Sequence, residues 1–502
     1  MTSQQRNLLL LAAAISSASG LASELLLGTL ASYLVGNEAL SYGLALGGFL
    51  AAMGVGSYLS RFVGNRKNTL LTAFMTVELL IAPLNAILPV GLFLLFIVGG
   101  EIWLGLALVT LILGTLAGLE IPLLTRMVEQ EEGVKDALAG VLAMDYFGAL
   151  VGSLAFPLLL LPLVGMFPAA AILGVFPAVM VFFLGRSFPQ LRQWRIWGLT
   201  IALLLTIFAV MVIPFTQRLE DNLYGAPIIQ RTQSSYQRLV LTRSGSDLRF
   251  FLDGDLQFST SDEYRYHEGL VHPALSAVSH PQKVLLLGAG DGLGLREILK
   301  WDTVEEVMLI ELDPKVVEWA KTHPALLEAN QNAFADSRVE VRYGDAFQLV
   351  SQLESNFDVI IADFPDPDRN VLAKLYSLGF YQQLKAHLSS TGVFVTQGSS
   401  PFFAPKAFSC IATTLEAIDF QVYPYTINVP SFGPWGFVLA TQKSFFPEQI
   451  TQLPIETRFL SLGMFPSLFV LPKDVKPQEV EVNTLAHPVI VNYERDRRWV
   501  LY

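Results

Sequence analysis

"KVLLLGAGDGLGLREILK" (283–300) reads as a strand, a Gly-rich turn and the start of a helix, and "VEEVMLIELDP" (304–314) supplies the next strand. Three more strand-like runs follow: "RVEVRYGDA" (338–346), "FDVIIADFPDP" (357–367) and "GVFVTQGS" (392–399). Helical stretches separate them. Apolar runs that alternate with helices predict a Rossmann-like α/β domain, a mostly parallel sheet with helices on both faces. Upstream, "RLVLTR", "LRFFLDG" and "LQFST" are short runs with turn residues between them. They predict a small antiparallel β unit at 228–260.

The first 216 residues have a different composition. The 502-residue chain is 52% hydrophobic and 15% charged, against about 25% charged in soluble domains. The apolar excess lies in the N-terminal part. A bilayer span takes roughly 20 mostly apolar residues, which predicts a helical bundle of about seven spans near 8–34, 39–60, 69–90, 101–125, 137–163, 167–185 and 197–215. The stretch 88–100 either lengthens the third span or forms a further short one. No cleavable signal is expected, so the first span is read as retained. Arg6, Arg61, Arg66, Lys67, Arg126, Lys135, Arg186, Arg192 and Arg195 all fall on one side of these spans. The positive-inside rule then puts the N-terminus in the cytoplasm. Glu24, Glu78, Glu120 and Asp145 lie inside the spans, with no basic residue beside them. Such acids are functional candidates. Glu120 and Asp145 are the expected pair in a shared interior cavity that takes a cationic amine. The single cysteine, Cys410, excludes an internal disulfide framework and a multi-cysteine metal site.

Ligands on open parallel sheets bind at the carboxyl ends of the strands, and the chemistry-bearing residues sit there. "GAGDGLG" (288–294) gives the close backbone approach that a nucleoside needs. Glu311, ending the next strand, is placed to hold a ribose diol. Asp345 ends the third strand, toward an adenine amino group. Acids at successive strand ends fit an S-adenosyl ligand better than a dinucleotide. Asp291 narrows the choice. A carboxylate in the Gly-rich loop repels the carboxylate of S-adenosylmethionine and attracts its amine, each by several kcal/mol at about 4 Å and reduced dielectric. It favours a ligand with the amine alone, which describes decarboxylated S-adenosylmethionine. Asp363 and Asp366 end the fourth strand. A polyamine nucleophile is cationic near pH 7, with amine pKa values near 10. Asp363 can accept its proton and Asp366 can hold it in line.

Taken together these stretches resemble the polyamine aminopropyltransferases, the spermidine synthase family. "SSYQ" (234–237), "LDGDLQFSTSDEYRYHEGLVHP" (252–273), "GAGDGLGLRE" (288–297), "IELDP" (310–314), "YGDA" (343–346), "DFPDP" (363–367), "LYSLGFYQQL" (375–384) and "PSFGPWGF" (430–437) occur in family order. The resemblance implies aminopropyl transfer from decarboxylated S-adenosylmethionine to putrescine, releasing methylthioadenosine and spermidine. It implies Asp363 as proton acceptor. Gln237, Glu311, Asp345 and Ala346 would bind the nucleoside, and Tyr266, His267, Asp291 and Asp366 the aminopropyl and diamine groups. A homodimer is expected, with small polyamines and the lipid bilayer as partners, and neither a metal nor a nucleic acid. Ala289 stands where the family has a glycine, a small change. Asn370 stands near a usual proline. Phe432 lies near a common tyrosine, and Ser399 near a distal acid of some members. "GLEIPLL" (118–124), "MDYFGALVGSLAFPLLLLP" (144–162) and the tail "VEVNTLAHPVIVNYERDRRW" (480–499) are similar to the variant fused to a multi-span membrane domain.

The expected organisation is a membrane domain at 1–216, a transferase domain at 217–445 and an extension at 446–502. Two other classes compete: a methyltransferase on the same fold, and a polyamine transporter or sensor with a non-catalytic soluble domain. Asp291 and the Asp363–Asp366 pair argue against the first, and the full set of acids against the second. The net charge of −11 suits cationic ligands. Seven spans with the N-terminus inside would put the soluble half outside, whereas the supply of decarboxylated S-adenosylmethionine argues for the cytoplasm. The expectation is the cytoplasm.

Overall fold

A computed structural model describes residues 2–35, 38–475 and 477–496; the last residues of the tail stretch, 497–499, lie outside that set. The chain divides into two compact units, Met1–Gly225 and Ala226–Tyr502.

Among the described residues, the first unit holds seven helices long and apolar enough to cross a membrane: Ser3–Leu34, Leu40–Phe62, Lys67–Ile97, Ile102–Glu131, Val134–Val164, Met166–Ser187 and Trp194–Phe215. The stretch 88–100 adds no span. The third helix runs through Pro83 and Pro89 to Ile97, so the number of spans stays odd. Small residues let these helices touch backbone to backbone, as in lipid-embedded packing. A Cβ on Gly148 or Gly152 would lie 2.1 or 2.2 Å from the carbonyl oxygens of Ala14 and Ala18. Gly118 meets Met53 in the same way.

The acids divide differently from the expected pairing. Glu78 and Glu120 line one interior cavity, with serines of the first helix. Asp145 is half-buried on the fifth helix and bonded to Ser17 instead. Ser16 and Ser17 lie about 100° apart around the first helix, so the two acids meet different faces of it.

The second unit begins with a four-stranded antiparallel sheet, β1 (Ile228–Gln233), β2 (Arg238–Ser244), β3 (Asp247–Leu252) and β4 (Asp255–Ser259). The main sheet has β5 (Lys283–Gly288), β6 (Glu306–Glu311), β7 (Val339–Tyr343), β8 (Phe357–Asp363), β9 (Leu388–Gln397), β10 (Gln421–Val429) and β11 (Gly433–Thr441). Their order is β10-β11-β9-β8-β5-β6-β7. The five strands β5–β9 are parallel; β10 and β11 add an antiparallel edge. Side chains alternate between two cores. Leu285, Leu287, Ile360 and Ala362 face one; Val284, Leu286, Val359 and Ile361 face the other. The last fifty residues enter both, with Val489–Val491 on the first face and Leu460 and Phe465 on the second.

Candidate active site

The strand order reverses between β8 and β5, and the Gly-rich turn leaves β5 at that point. Gly288 pairs with Asp363 across the two strands. A Cβ at Gly288 would lie 2.2 Å from the Asp363 carbonyl oxygen, and its φ is +77°. Only glycine lets β8 end so close to the turn. Ala289 departs from the small change expected of it. Its φ of 58° is left-handed, which costs a residue with a Cβ about 1 kcal/mol.

Three of the expected residues, Tyr266, His267 and Asp291, converge on Asp363. The Tyr266 hydroxyl donates to Asp363 Oδ1 at 2.6 Å. Tyr266 and His267 sit side by side on the helix Glu263–Ser276, which packs behind the sheet. Burial, with Asp291 in the same direction, pushes the Asp363 carboxyl up to about 6; the His267 charge and the Tyr266 bond oppose this. Burial, followed by the Asp363 charge, raises the Tyr266 pKa further, so its hydroxyl stays a donor. Burial works against a charge on His267. The bond to Glu263 and the charges of Glu263, Asp291 and Asp363 outweigh it and push the pKa up to about 9. His267 is therefore a buried cation at neutral pH, beside two carboxylates. Asp291 accepts the Leu293 amide at 2.8 Å, and burial raises its pKa against the pull of His267.

A second group lies on the other side of the Gly-rich turn. Glu311 accepts the Gly290 amide at 3.1 Å and the Asp313 amide at 2.9 Å; burial pushes its pKa up to about 7. Gln237 reaches the same strand end, donating to Asp313 at 3.2 Å. Asp345 caps the short helix that begins with the buried Ala346, accepting the Phe347 amide at 3.0 Å. Its other oxygen holds the Lys374 ammonium at 2.5 Å. Asp366 lies near enough for its charge to act on Tyr266, and the Gln397 amide lies 3.3 Å from its carboxylate.

Other residues that shape the site went unremarked in the sequence. Gln397 also donates to the Phe364 carbonyl at 2.8 Å and to the Tyr376 hydroxyl at 2.7 Å. Tyr376 in turn donates to the Pro365 carbonyl at 3.0 Å. These bonds fix the loop that carries both aspartates. Behind His267, Glu263 takes both outer nitrogens of Arg296 at 2.9 Å. Arg296 then meets Glu297, which holds His272 at 3.0 Å. The tail clamps the same region. Asn483 donates to the carbonyls of Ala373 and Tyr376 at 2.9 and 3.0 Å. The Ser399 hydroxyl donates to the buried Glu494 at 3.1 Å. All four fall in stretches already singled out, Asn483 and Glu494 in the tail 480–499, but nothing local marks any of them as a site residue.

A parallel sheet with acids at the ends of four adjacent strands, a Gly-rich turn at the reversal point and a buried imidazolium defines a Rossmann-like transferase of the S-adenosyl-ligand type. Residues 263–450 match the Spermine/spermidine synthase domain. The chain is 40% identical to "Polyamine aminopropyltransferase 2" of Ralstonia nicotianae, over 98% of this chain and 99% of that one. It is 39% identical to "Polyamine aminopropyltransferase" of Leptospira interrogans, over 97% of each. A solved spermidine synthase in complex with the transition-state analogue AdoDATO is 30% identical, covering 49% of this chain and 86% of that one, with a TM-score of 0.47. The chain belongs to the polyamine aminopropyltransferase family. Its relatives match both units, the apolar helices included.

Proposed function

We propose that the chain transfers the aminopropyl group of decarboxylated S-adenosylmethionine to putrescine, giving spermidine and methylthioadenosine, with Asp363 as the proton acceptor. One observation carries this reading: Tyr266 occupies one oxygen of an Asp363 carboxylate whose pKa stands near 6. The second oxygen is left for an amine. The amine nitrogen attacks the aminopropyl carbon next to sulfur, and the C–S bond breaks with its electron pair going to the sulfonium. The displaced proton passes to Asp363. Raising that carboxyl from 3.8 to about 6 narrows its gap to the amine by at most about 3 kcal/mol.

Asp291 pairs with the aminopropyl ammonium and disfavours a methionine carboxylate. Glu311 takes the ribose hydroxyls, with Gln237, Asp345 and Ala346 completing the nucleoside side. His267 holds the charge balance between Asp291 and Asp363. Asp366 holds the diamine, and Glu494 brings a carboxylate to Ser399, toward the far ammonium. The apolar helices anchor the enzyme in a bilayer, and substrate supply argues for a cytoplasmic soluble unit. That placement requires one departure from the loop-charge rule; a reporter fused at the C-terminal end tests it. The reaction is tested by giving the purified full-length protein putrescine with either sulfonium. Equimolar spermidine and methylthioadenosine from the decarboxylated form are expected. Consumption of intact S-adenosylmethionine with a methylated product would overturn the reading in favour of a methyltransferase.

A further inference from the structure

The membrane unit contains a polar cavity that aminopropyl transfer does not use. Three helices, the first, third and fourth, bring Ser16, Ser19, Ser23, Glu78, Asn85 and Glu120 to it. The spacing explains the convergence. Ser16, Ser19 and Ser23 recur on one face of the first helix, and Glu78, Ile81 and Asn85 on one face of the third. The remaining lining is apolar, Pro177 of the sixth helix included, and among the described residues no Lys, Arg or His lines the space. Its free volume of about 10 Å³ is room for one water-sized group.

The hydrogen bonds around the cavity give it a sign. Ser16 donates its proton to Glu78. Ser19 donates to the Leu173 carbonyl at 2.8 Å. That carbonyl lacks its helical partner because Pro177 has no N–H to offer. Ser23 donates to the Ser19 carbonyl at 2.7 Å. All three hydroxyl protons are therefore directed elsewhere, and the oxygens present lone pairs. Glu78 Oε2 is buried and has no hydrogen-bond partner among the described residues. Two carboxylates and three acceptor hydroxyls form a hard-oxygen donor set, the kind that holds a small cation; the Asn85 amide also lines the space, its Nδ2 buried without a hydrogen-bond partner among the described residues.

We propose that this cavity is a binding site for one water-sized monovalent cationic group, held by Glu78, Glu120 and the serine oxygens. A free alkali cation and the terminal ammonium of an amine share that chemistry. Glu78 and Glu120 share this space; Asp145, whose charge also reaches Glu120, does not line it. The site is separate from the transferase chemistry and stands or falls apart from it.

The test uses the full-length protein in detergent, with radiolabelled sodium in one arm and radiolabelled putrescine in the other. Putrescine binding to the transferase site is blocked with methylthioadenosine and excess unlabelled acceptor analogue, or removed with Asp363→Asn plus Asp366→Asn. Saturable binding in at least one arm is expected, and the responding arm names the source of the charge. Glu78→Gln with Glu120→Gln should weaken it at least tenfold while aminopropyl transfer stays at the wild-type rate. Ser23→Ala, which leaves both acids in place, should weaken it by a smaller factor. Wild-type protein that binds neither probe would overturn the proposal, and so would binding that the Glu78, Glu120 and Ser23 variants all leave unchanged.

Discussion

Asp363 and Glu78 each accept a hydrogen bond from one hydroxyl, Tyr266 in the soluble unit and Ser16 in the membrane unit. Their surroundings differ. Asp363 is partly open and has the His267 imidazolium among its neighbours. Glu78 is fully buried, and the space it faces holds a second acid and no base. The soluble unit supplies its own counter-charge. Behind His267 stands a relay of Glu263, Arg296 and Glu297 that keeps it in place. A charge built this way is fixed before substrate arrives, which is the condition for electrostatic catalysis. Among the described residues the membrane cavity provides no basic side chain, so its charge balance has to come from a bound cation or a proton.

The sharpest way to break this contrast is to remove the partly open carboxylate. Asp363→Asn should lower kcat by about 100- to 10,000-fold while cosubstrate affinity, measured by calorimetry, holds. Near wild-type turnover would take the proton acceptor away from Asp363. Tyr266→Phe removes one hydrogen bond to a charged group and should cost about 10- to 100-fold in kcat/KM. A loss confined to KM would make Tyr266 a binding residue only. Asp291→Asn sharpens the account of selectivity. The preference for decarboxylated over intact S-adenosylmethionine should narrow by about tenfold or more; an unchanged ratio of affinities would remove the electrostatic argument.

The self-supplied counter-charge also has a pH signature. The folded pKa of His267 is raised, from 6.5 to about 9. Its contribution is fully present below about pH 6.5 and is lost as pH rises through 9. Thermal inactivation of transfer activity, with samples heated between pH 6.5 and 9.5 and assayed at one pH, should therefore quicken toward the alkaline end. His267→Gln should flatten that trend.

The parallel half of the sheet was legible because β5, β6 and β8 carry unbroken apolar runs closed by Gly, Glu or Asp, and β7 alternates before its Gly-Asp end. The edge pair was not. β10 carries Pro424 and β11 carries Pro434 and Gly436, residues that argue against a strand. The structure tolerates them where pairing is one-sided: β10 is the sheet's edge, and Pro434 lies outside the stretch of β11 that pairs with β9. In the site, acids at strand ends were readable from sequence, since their position follows from local pattern. Their partners were not. Lys374 meets Asp345 across 29 residues, and Arg296 meets Glu263 across 33. No local pattern encodes such pairs; sheet order and helix docking create them. The same holds in the membrane unit, where composition marked four acids but helix rotation decided that Glu78, and not Asp145, lines the cavity with Glu120, while Asp145 stays close enough for its charge to reach Glu120.

The pH dependence of kcat/KM, measured for the wild type and Tyr266→Phe side by side, tests the central claim that Asp363 is a tuned base. An ionised Asp363 is required, so the wild-type rate should show a further proton-dependent fall below about pH 6. The Tyr266 bond lowers that pKa, so the fall should begin at higher pH in Tyr266→Phe. A wild-type profile with no such break between pH 7 and 5, or a break at the same pH in both proteins, would contradict the account.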